Sequence, residues 1–294
     1  MSRRGWILFI GLSFMSGIPY LLIKVCLREL QPGALVFLRI ALVAVILLPL
    51  AAHRGVLGAA WHRLGWILAF GVAEFGVPWL LMVVSEEKLS SSLTALLIAA
   101  VPATTAVLYR FTGLREHLGP KRALGLLIGL AGVALLVGLS TTGSTWTSLL
   151  LMIGVVLGYA IGTVIVDRRL AGLSGIAVVG IAATAIAIAY APLGIAELPH
   201  HLSTGVLVSF LLLALVCSVG SYLTAFALIV EVGAPRSAVV TYINPAVAIV
   251  AGAVVLGEPI TLAMVLGFPL VIIGSVLATA KAHEGGGPRE PVEH

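Results

Sequence analysis

Charge is scarce in this chain. Only 10% of its residues are Asp, Glu, Lys or Arg, against roughly 25% in a soluble domain. With 60% hydrophobic residues and a mean hydropathy of +1.16, most of its surface cannot face water, and the chain belongs in a bilayer. Aspartate is scarcer still: Asp167, beside Arg168 and Arg169, is the one in the sequence. That leaves no aspartate pair for metal-dependent lipid transfer or intramembrane aspartyl proteolysis. The sequence also lacks a His-Glu-x-x-His run for zinc and a Gly-x-Ser-x-Gly elbow. The stretch from Gly113 to Lys121 has neither P-loop spacing nor a final Ser or Thr, so ATP is not expected as the energy source. The two cysteines, Cys26 and Cys217, lie in or beside apolar segments and imply neither a disulfide framework nor a metal site. No cofactor, metal or catalytic residue is expected. Nor is nucleic acid, because the basic residues behind the net charge of +5 are scattered between apolar segments.

Long apolar runs are abundant instead. A span needs about 20 apolar residues. On that criterion the first half gives helices at about 6–25, 33–52, 64–84, 91–111 and 121–139. The second gives about 146–166, 174–195, 205–229, 236–256 and 261–280. The fold expected is therefore an all-α membrane protein with ten transmembrane helices. Its two five-helix repeats cover residues 1–140 and 146–281, joined by the Ser/Thr/Gly stretch 140–145, with a disordered cytoplasmic tail at 282–294. Of the basic residues, Arg3, Arg4, Arg54, Arg63, Arg110, Arg115, Lys121, Arg122, Arg168, Arg169, Arg236, Lys281 and Arg289 fall on one side. Lys24, Arg28 and Lys88 fall on the other. Positive charge concentrates on the cytoplasmic side, which puts both termini there and the protein in the cytoplasmic membrane. Trp6, Trp61, Trp66, Trp79 and Trp146 fall near helix ends, as an aromatic belt requires. An odd number of spans per half inserts the second half upside down, the inverted repeat of many secondary transporters.

The chain writes one pattern twice. Ala100-Val101-Pro102, Leu114-Arg115-Glu116-His117, Gly125 and Gly132 are answered by Asn244-Pro245, Leu256-Gly257-Glu258-Pro259, Gly267 and Gly274. From glutamate to glycines the spacing is nine and sixteen residues in both copies, which marks a duplication. Together with Gly17, Pro19, Lys24, Pro32 and Arg39 near the start, these residues resemble the EamA-type domain of the drug/metabolite transporter superfamily. The first copy departs from it, with Arg115 where a glycine would precede Glu116. The resemblance covers nearly the whole chain to about Ala280. It implies a ten-helix permease for small organic molecules, often working outward, with amino acids, sugars, nucleotides and drugs among the family's substrates. A membrane scaffold or receptor, or an intramembrane enzyme whose Ser-Lys or Ser-His pair forms only on folding, stands as the alternative.

By depth and polarity, Tyr20, Arg39, Glu74, Trp79, Tyr159, Tyr242 and Asn244 are placed on a substrate path between the halves, with plain interhelical hydrogen bonding the alternative for Tyr242 and Asn244. The halves would rock about it, first helix against sixth and fourth against ninth. Pro19, Pro102 and Pro245 are read as kinks: each leaves a carbonyl without its helical partner, either a static packing feature or part of a central path. Glu116 and Glu258 are read as turn carboxylates favouring the positive N-termini of the helices that follow them, with a direct role in coupling or gating as the alternative. Lys24 sits near a helix end and can snorkel, with a substrate role as the alternative. Glu74 is the deepest acid, about ten residues from either helix end and so roughly 15 Å from each interface. It either carries a proton or a cationic group of the substrate, or forms a fixed ion pair with Arg39. Gly154, Gly158 and Gly162 on the sixth helix, and Gly125 and Gly129 on the fifth, form small-residue stripes for close helix approach. They would serve within a monomer or, alternatively, in a homodimer.

Overall fold

The computed structural model describes residues 1–111, 120–140, 146–237 and 239–279. The turn carboxylate Glu116, most of the 140–145 linker and the expected tail at 282–294 lie outside them. Among the described residues the chain is all helical, with no cis peptide bond. Seven helices are long and apolar enough to cross a membrane: α1 (Arg3–Cys26), α2 (Pro32–His53), α3 (Leu64–Glu86), α4 (Ser91–Phe111), α6 (Trp146–Leu170), α7 (Gly175–Ala196) and α8 (Thr204–Val232). Three more apolar helices, α5 (Pro120–Ser140), α9 (Val240–Leu256) and α10 (Leu262–Thr279), complete the order. At 1.5 Å per residue, α5 (Pro120–Ser140) runs about 31 Å and α10 (Leu262–Thr279) about 27 Å, against a hydrocarbon core of about 30 Å.

The outward faces remain apolar. Trp6, Ile10, Leu127, Ile153, Val254 and Val265 are all exposed, a surface stable against lipid tails and not against water. Inside, small residues decide which helices touch. The glycine faces of the two sequence copies pack on each other. A Cβ on Gly125 would meet the Gly274 carbonyl oxygen at 2.8 Å, and one on Gly132 would meet Val271 N at 2.8 Å. A Cβ on Gly274 would run into the backbone of Gly129. Thus α5 and α10 lie backbone to backbone, and the repeated spacing is the imprint of one mutual interface. The second stripe seats α6 against α3: Gly154 faces Leu81, Gly158 faces Pro78 and the Ala73 carbonyl, and Gly162 faces Glu74.

The remaining packing pairs the halves throughout. Helix α2 lies along α7, and α4 touches α9. Helix α6 packs on α3 and α4, and α1 packs on α8 and α9. The expected pairing of first helix with sixth is therefore corrected: each packs mainly on the third-position and fourth-position helices of the opposite half. A small stripe on α6 admits the broad α3, and α1 approaches α9 closely because Gly17 stands 2.9 Å, measured from a would-be Cβ, from the Asn244 carbonyl oxygen.

Acidic residues near helix ends tie these elements together. The Glu29 carboxylate accepts from Ser203 N (2.7 Å) at the start of α8, and Glu197 accepts from Ala34 N (3.1 Å) at the start of α2. Glu258 accepts from Ser91 N (2.8 Å), Ser92 N (3.1 Å) and Ser92 Oγ (2.7 Å) at the start of α4. At the other end of the bundle Glu231 accepts from the N-cap hydroxyl of Ser2 (2.5 Å) and lies 3.9 Å from Arg4. There Arg63 also donates to the Arg169 carbonyl, and the Tyr109 hydroxyl to Asp167. The expectation for Glu258 was a carboxylate serving the helix that follows it. The structure corrects the target: it caps α4, in the other half, because Gly257 takes a left-handed conformation (φ +67°) that turns the carboxylate toward the Ser91 and Ser92 amides.

Burial alone would raise the Glu258 carboxyl, but the hydrogen bonds from Ser92 and Ser91 outweigh it and hold the carboxyl below the ordinary glutamate range. A depressed folded-state pKa contributes stability above the unfolded value, about 4.3, and loses it as pH falls through the folded value. Glu258→Ala should therefore cost about 0.5–2 kcal/mol, the usual loss of an N-cap. Near neutral pH its thermal unfolding in detergent should come a few degrees early, and the gap to wild type should narrow on acidification below about pH 4. A constant gap would mean that the charge plays no part.

Candidate functional site

Helices α1, α2, α3, α6, α8 and α9 surround a cavity of about 450 Å³. It runs from mid-depth toward the end of the bundle that carries Arg4, Arg63 and Arg236, with Ile229 and Ser237 in its wall on that side. The other end is closed by side chains that are buried or nearly so, among them Ile23, Met82, Leu89 and Leu93.

Six of the seven expected path residues line this cavity: Tyr20, Arg39, Glu74, Trp79, Tyr159 and Asn244. Tyr242 does not; it lies half-buried on α9 between the lining residues Thr241 and Asn244. Its neighbours face inward because 241 and 244 are three apart, on one side of a helix, while 242 is turned about 100° away. Trp79, grouped by sequence with an interfacial belt, is 4% exposed and leaves that belt for the cavity wall.

Arg39 is the best-held group in the site. Its Nε donates to Ser218 Oγ at 2.8 Å, and its guanidinium lies over the Trp79 ring, 3.8 Å from the centroid. The Trp79 ring is itself braced edge-on by Phe75 (5.4 Å between centroids), which in turn abuts Tyr222 (6.0 Å). Arg39 is 6% exposed, and its Nη1 has no hydrogen-bond partner. The fixed ion pair with Glu74, one of the two readings left open by the sequence, is not formed in this structure. The aromatic stack and Ser218 hold the guanidinium in another direction.

Glu74 sits on a π-helical turn, Val72–Gly76, in the middle of α3. Such a turn adds a residue and leaves carbonyls poorly paired; here the Tyr190 hydroxyl donates to the Gly76 carbonyl at 2.6 Å. Space for the carboxylate comes from α6, where a Cβ on Gly162 would stand 2.8 Å from Glu74 Oε2. Ser218 lies on a second π-helical stretch, Leu212–Gly220 of α8, so two irregular turns face one cavity.

The three prolines differ. Pro19 begins a new helical segment after Ile18 and lines the cavity. Pro245 lies inside α9 and removes the amide that would pair with the carbonyl of Thr241, a cavity residue. Beside it, Asn244 Oδ1 is buried without a partner. Pro102 does not line the cavity: α4 breaks just before it, at Ala99–Ala100, where Ser275 of α10 donates to the Ala99 carbonyl at 3.0 Å. Sequence reasoning missed Ser16, Met82, Cys217, Ser218, Ser221, Tyr222, Thr241 and Ser237 in the wall. The signal available for α8 was the polar run Cys217-Ser218…Ser221-Tyr222 in the middle of an apolar span.

The profile of the EamA-like transporter family matches the chain twice, over residues 3–138 and 146–280. The chain belongs to the EamA-like transporter family. A solved crystal structure shares the fold of this EamA-like protein with a TM-score of 0.66, covering 95% of this chain and 97% of its own at 17% identity. No curated protein matches it significantly. The EamA-like chain is a multi-pass membrane protein and a transporter of the drug/metabolite type, and the family's members are transporters rather than enzymes.

Proposed function

We propose that this EamA-like transporter moves small zwitterionic metabolites of amino-acid type across the cytoplasmic membrane by alternating access, outward, with a proton or another gradient as driving force. The observation that carries the reading is Arg39: a buried guanidinium with a free donor, facing the same cavity as the Glu74 carboxylate and the unpartnered Asn244 oxygen. A buried charge without a partner is costly, and a substrate carboxylate would supply one. Guanidinium matches carboxylate in a bidentate fork, while Glu74 and Asn244 offer acceptors to an ammonium. The surrounding Tyr20, Tyr159, Tyr222 and Trp79 suit an apolar or aromatic remainder.

In this reading α5, α9 and α10 also span, giving ten helices in two inverted five-helix repeats, residues 1–140 and 146–281. Support comes from the pairings, which map onto each other when the halves are exchanged: α3–α6 onto α8–α1, and α4–α6 onto α9–α1. Both termini lie in the cytoplasm, so the cavity reaches toward that side, from which an exporter loads. The glycine stripes are used inside the chain, which favours the monomer as the working unit over the homodimer.

Purified transporter in proteoliposomes should catalyse saturable counterflow of radiolabelled amino acids, altered by an imposed pH gradient. Movement of lipophilic cations with no movement of any zwitterion would contradict the substrate class.

A further inference from the structure

At the closed end of the bundle, Glu86 ends α3. It is fully buried, and neither carboxylate oxygen has a hydrogen-bond partner. The ionisable groups whose charges reach it come from three packed elements: Tyr20 and Lys24 of α1, Arg39 of α2, and Glu258 between α9 and α10. From α4, Ser91 and Ser92 face the same region, and their amides are taken by Glu258. Tyr20 and Arg39 also line the cavity. Glu86 does not itself line the cavity; it lies behind that wall, twelve residues and about 18 Å along α3 from Glu74.

A buried ionised carboxylate with no hydrogen-bond partner on either oxygen is far more costly than a neutral carboxyl. Lys24, half-buried one helix away, makes no ion pair with it here. The closed arrangement thus suits a protonated Glu86. An opened end would admit water, ionise the carboxyl and let it meet Lys24.

We propose that Glu86 is a proton-binding gate of the transport cycle: protonated, it keeps the Lys24–Glu86–Glu258 end shut, and ionised, it pairs with Lys24 and stabilises that end open. The proton leaves to the water entering from that side and returns from the same side on closing. This rests on the alternating-access reading above, but it can be tested without a known substrate.

The probe is a membrane-impermeant maleimide and a single cysteine at Leu89, which is 3% exposed beside Glu86. The background carries Cys26→Ala and Cys217→Ala. Rates are divided by those of Lys88→Cys, at a position exposed in this structure, to remove the thiol's own titration. In the parent, normalised labelling should rise at least tenfold with pH. Glu86→Gln should stay at the low, closed rate throughout, while eluting as a folded species. Lys24→Gln should move the midpoint to higher pH, which supplies the test if Glu86→Gln does not fold. Parent labelling that ignores pH, a Glu86→Gln profile like the parent's, or an unmoved Lys24→Gln midpoint overturns the gate. If counterflow works while any of these holds, the gate alone fails. If labelling behaves as expected but nothing is transported, the transport reading fails instead.

Discussion

Arg39→Lys should weaken binding of zwitterionic substrates about 10- to 100-fold while leaving the protein folded. A hydrogen bond to a charged group contributes roughly 1.5–3 kcal/mol, and each 1.4 kcal/mol is a factor of ten in affinity. Lysine keeps the charge but loses the fork, the stacking on Trp79 and the bond from Nε to Ser218. Size-exclusion and melting profiles close to wild type, with a raised concentration for half-maximal counterflow, are the expected pair of results. Ser218→Ala should reproduce a small part of the loss, because it frees Nε but leaves the guanidinium over the ring. An unchanged affinity in Arg39→Lys would remove Arg39 from the substrate site.

Glu74→Gln should abolish coupled transport or make it independent of pH, again with normal folding. The amide keeps the shape that Gly162 accommodates and removes the one titratable group at mid-depth on α3. Because no ion pair joins Glu74 to Arg39, neutralising Arg39 as well should not restore a lost function. That outcome separates a working carboxylate from a structural one: rescue by the double change would show a pair that forms in another state of the cycle. Uptake, export and pH dependence all at wild-type level in Glu74→Gln would show that this carboxylate has no part in transport.

Much of the arrangement was legible because a bilayer restricts the choices. Apolar length located the helices to within a few residues, as for 91–111 against Ser91–Phe111, since every backbone polar group in lipid must be paired within its own segment. Polarity at depth located Tyr20, Arg39, Glu74 and Asn244, because a polar side chain in an apolar span is costly unless it faces a partner or a cavity. What stayed hidden depends on how one helix turns against another. The π-helical turns under Glu74 and Ser218 have no composition signal, and the turn of α9 that points Thr241 inward and Tyr242 aside follows from packing on α1. Glu86 was passed over because it adjoins Glu87 and Lys88 at a helix end, where a carboxylate reads as solvated; the fold buries it beneath α1 and α4. Glu258 was recognised as a cap, but its target across the repeat boundary is a tertiary fact that no local rule contains.

Alternating access through this cavity is tested most directly by distances at its two ends. Spin labels at His62 and Arg236 would report the Arg-rich end, and labels at Lys88 and His201 the end that Glu86 closes; all four positions are exposed. In liposomes, a saturating amino acid that supports counterflow should shorten the 62–236 distance and lengthen the 88–201 distance in the same population. Two distances that stay fixed, or that lengthen and shorten together, would contradict a path opened at one end only when it is closed at the other.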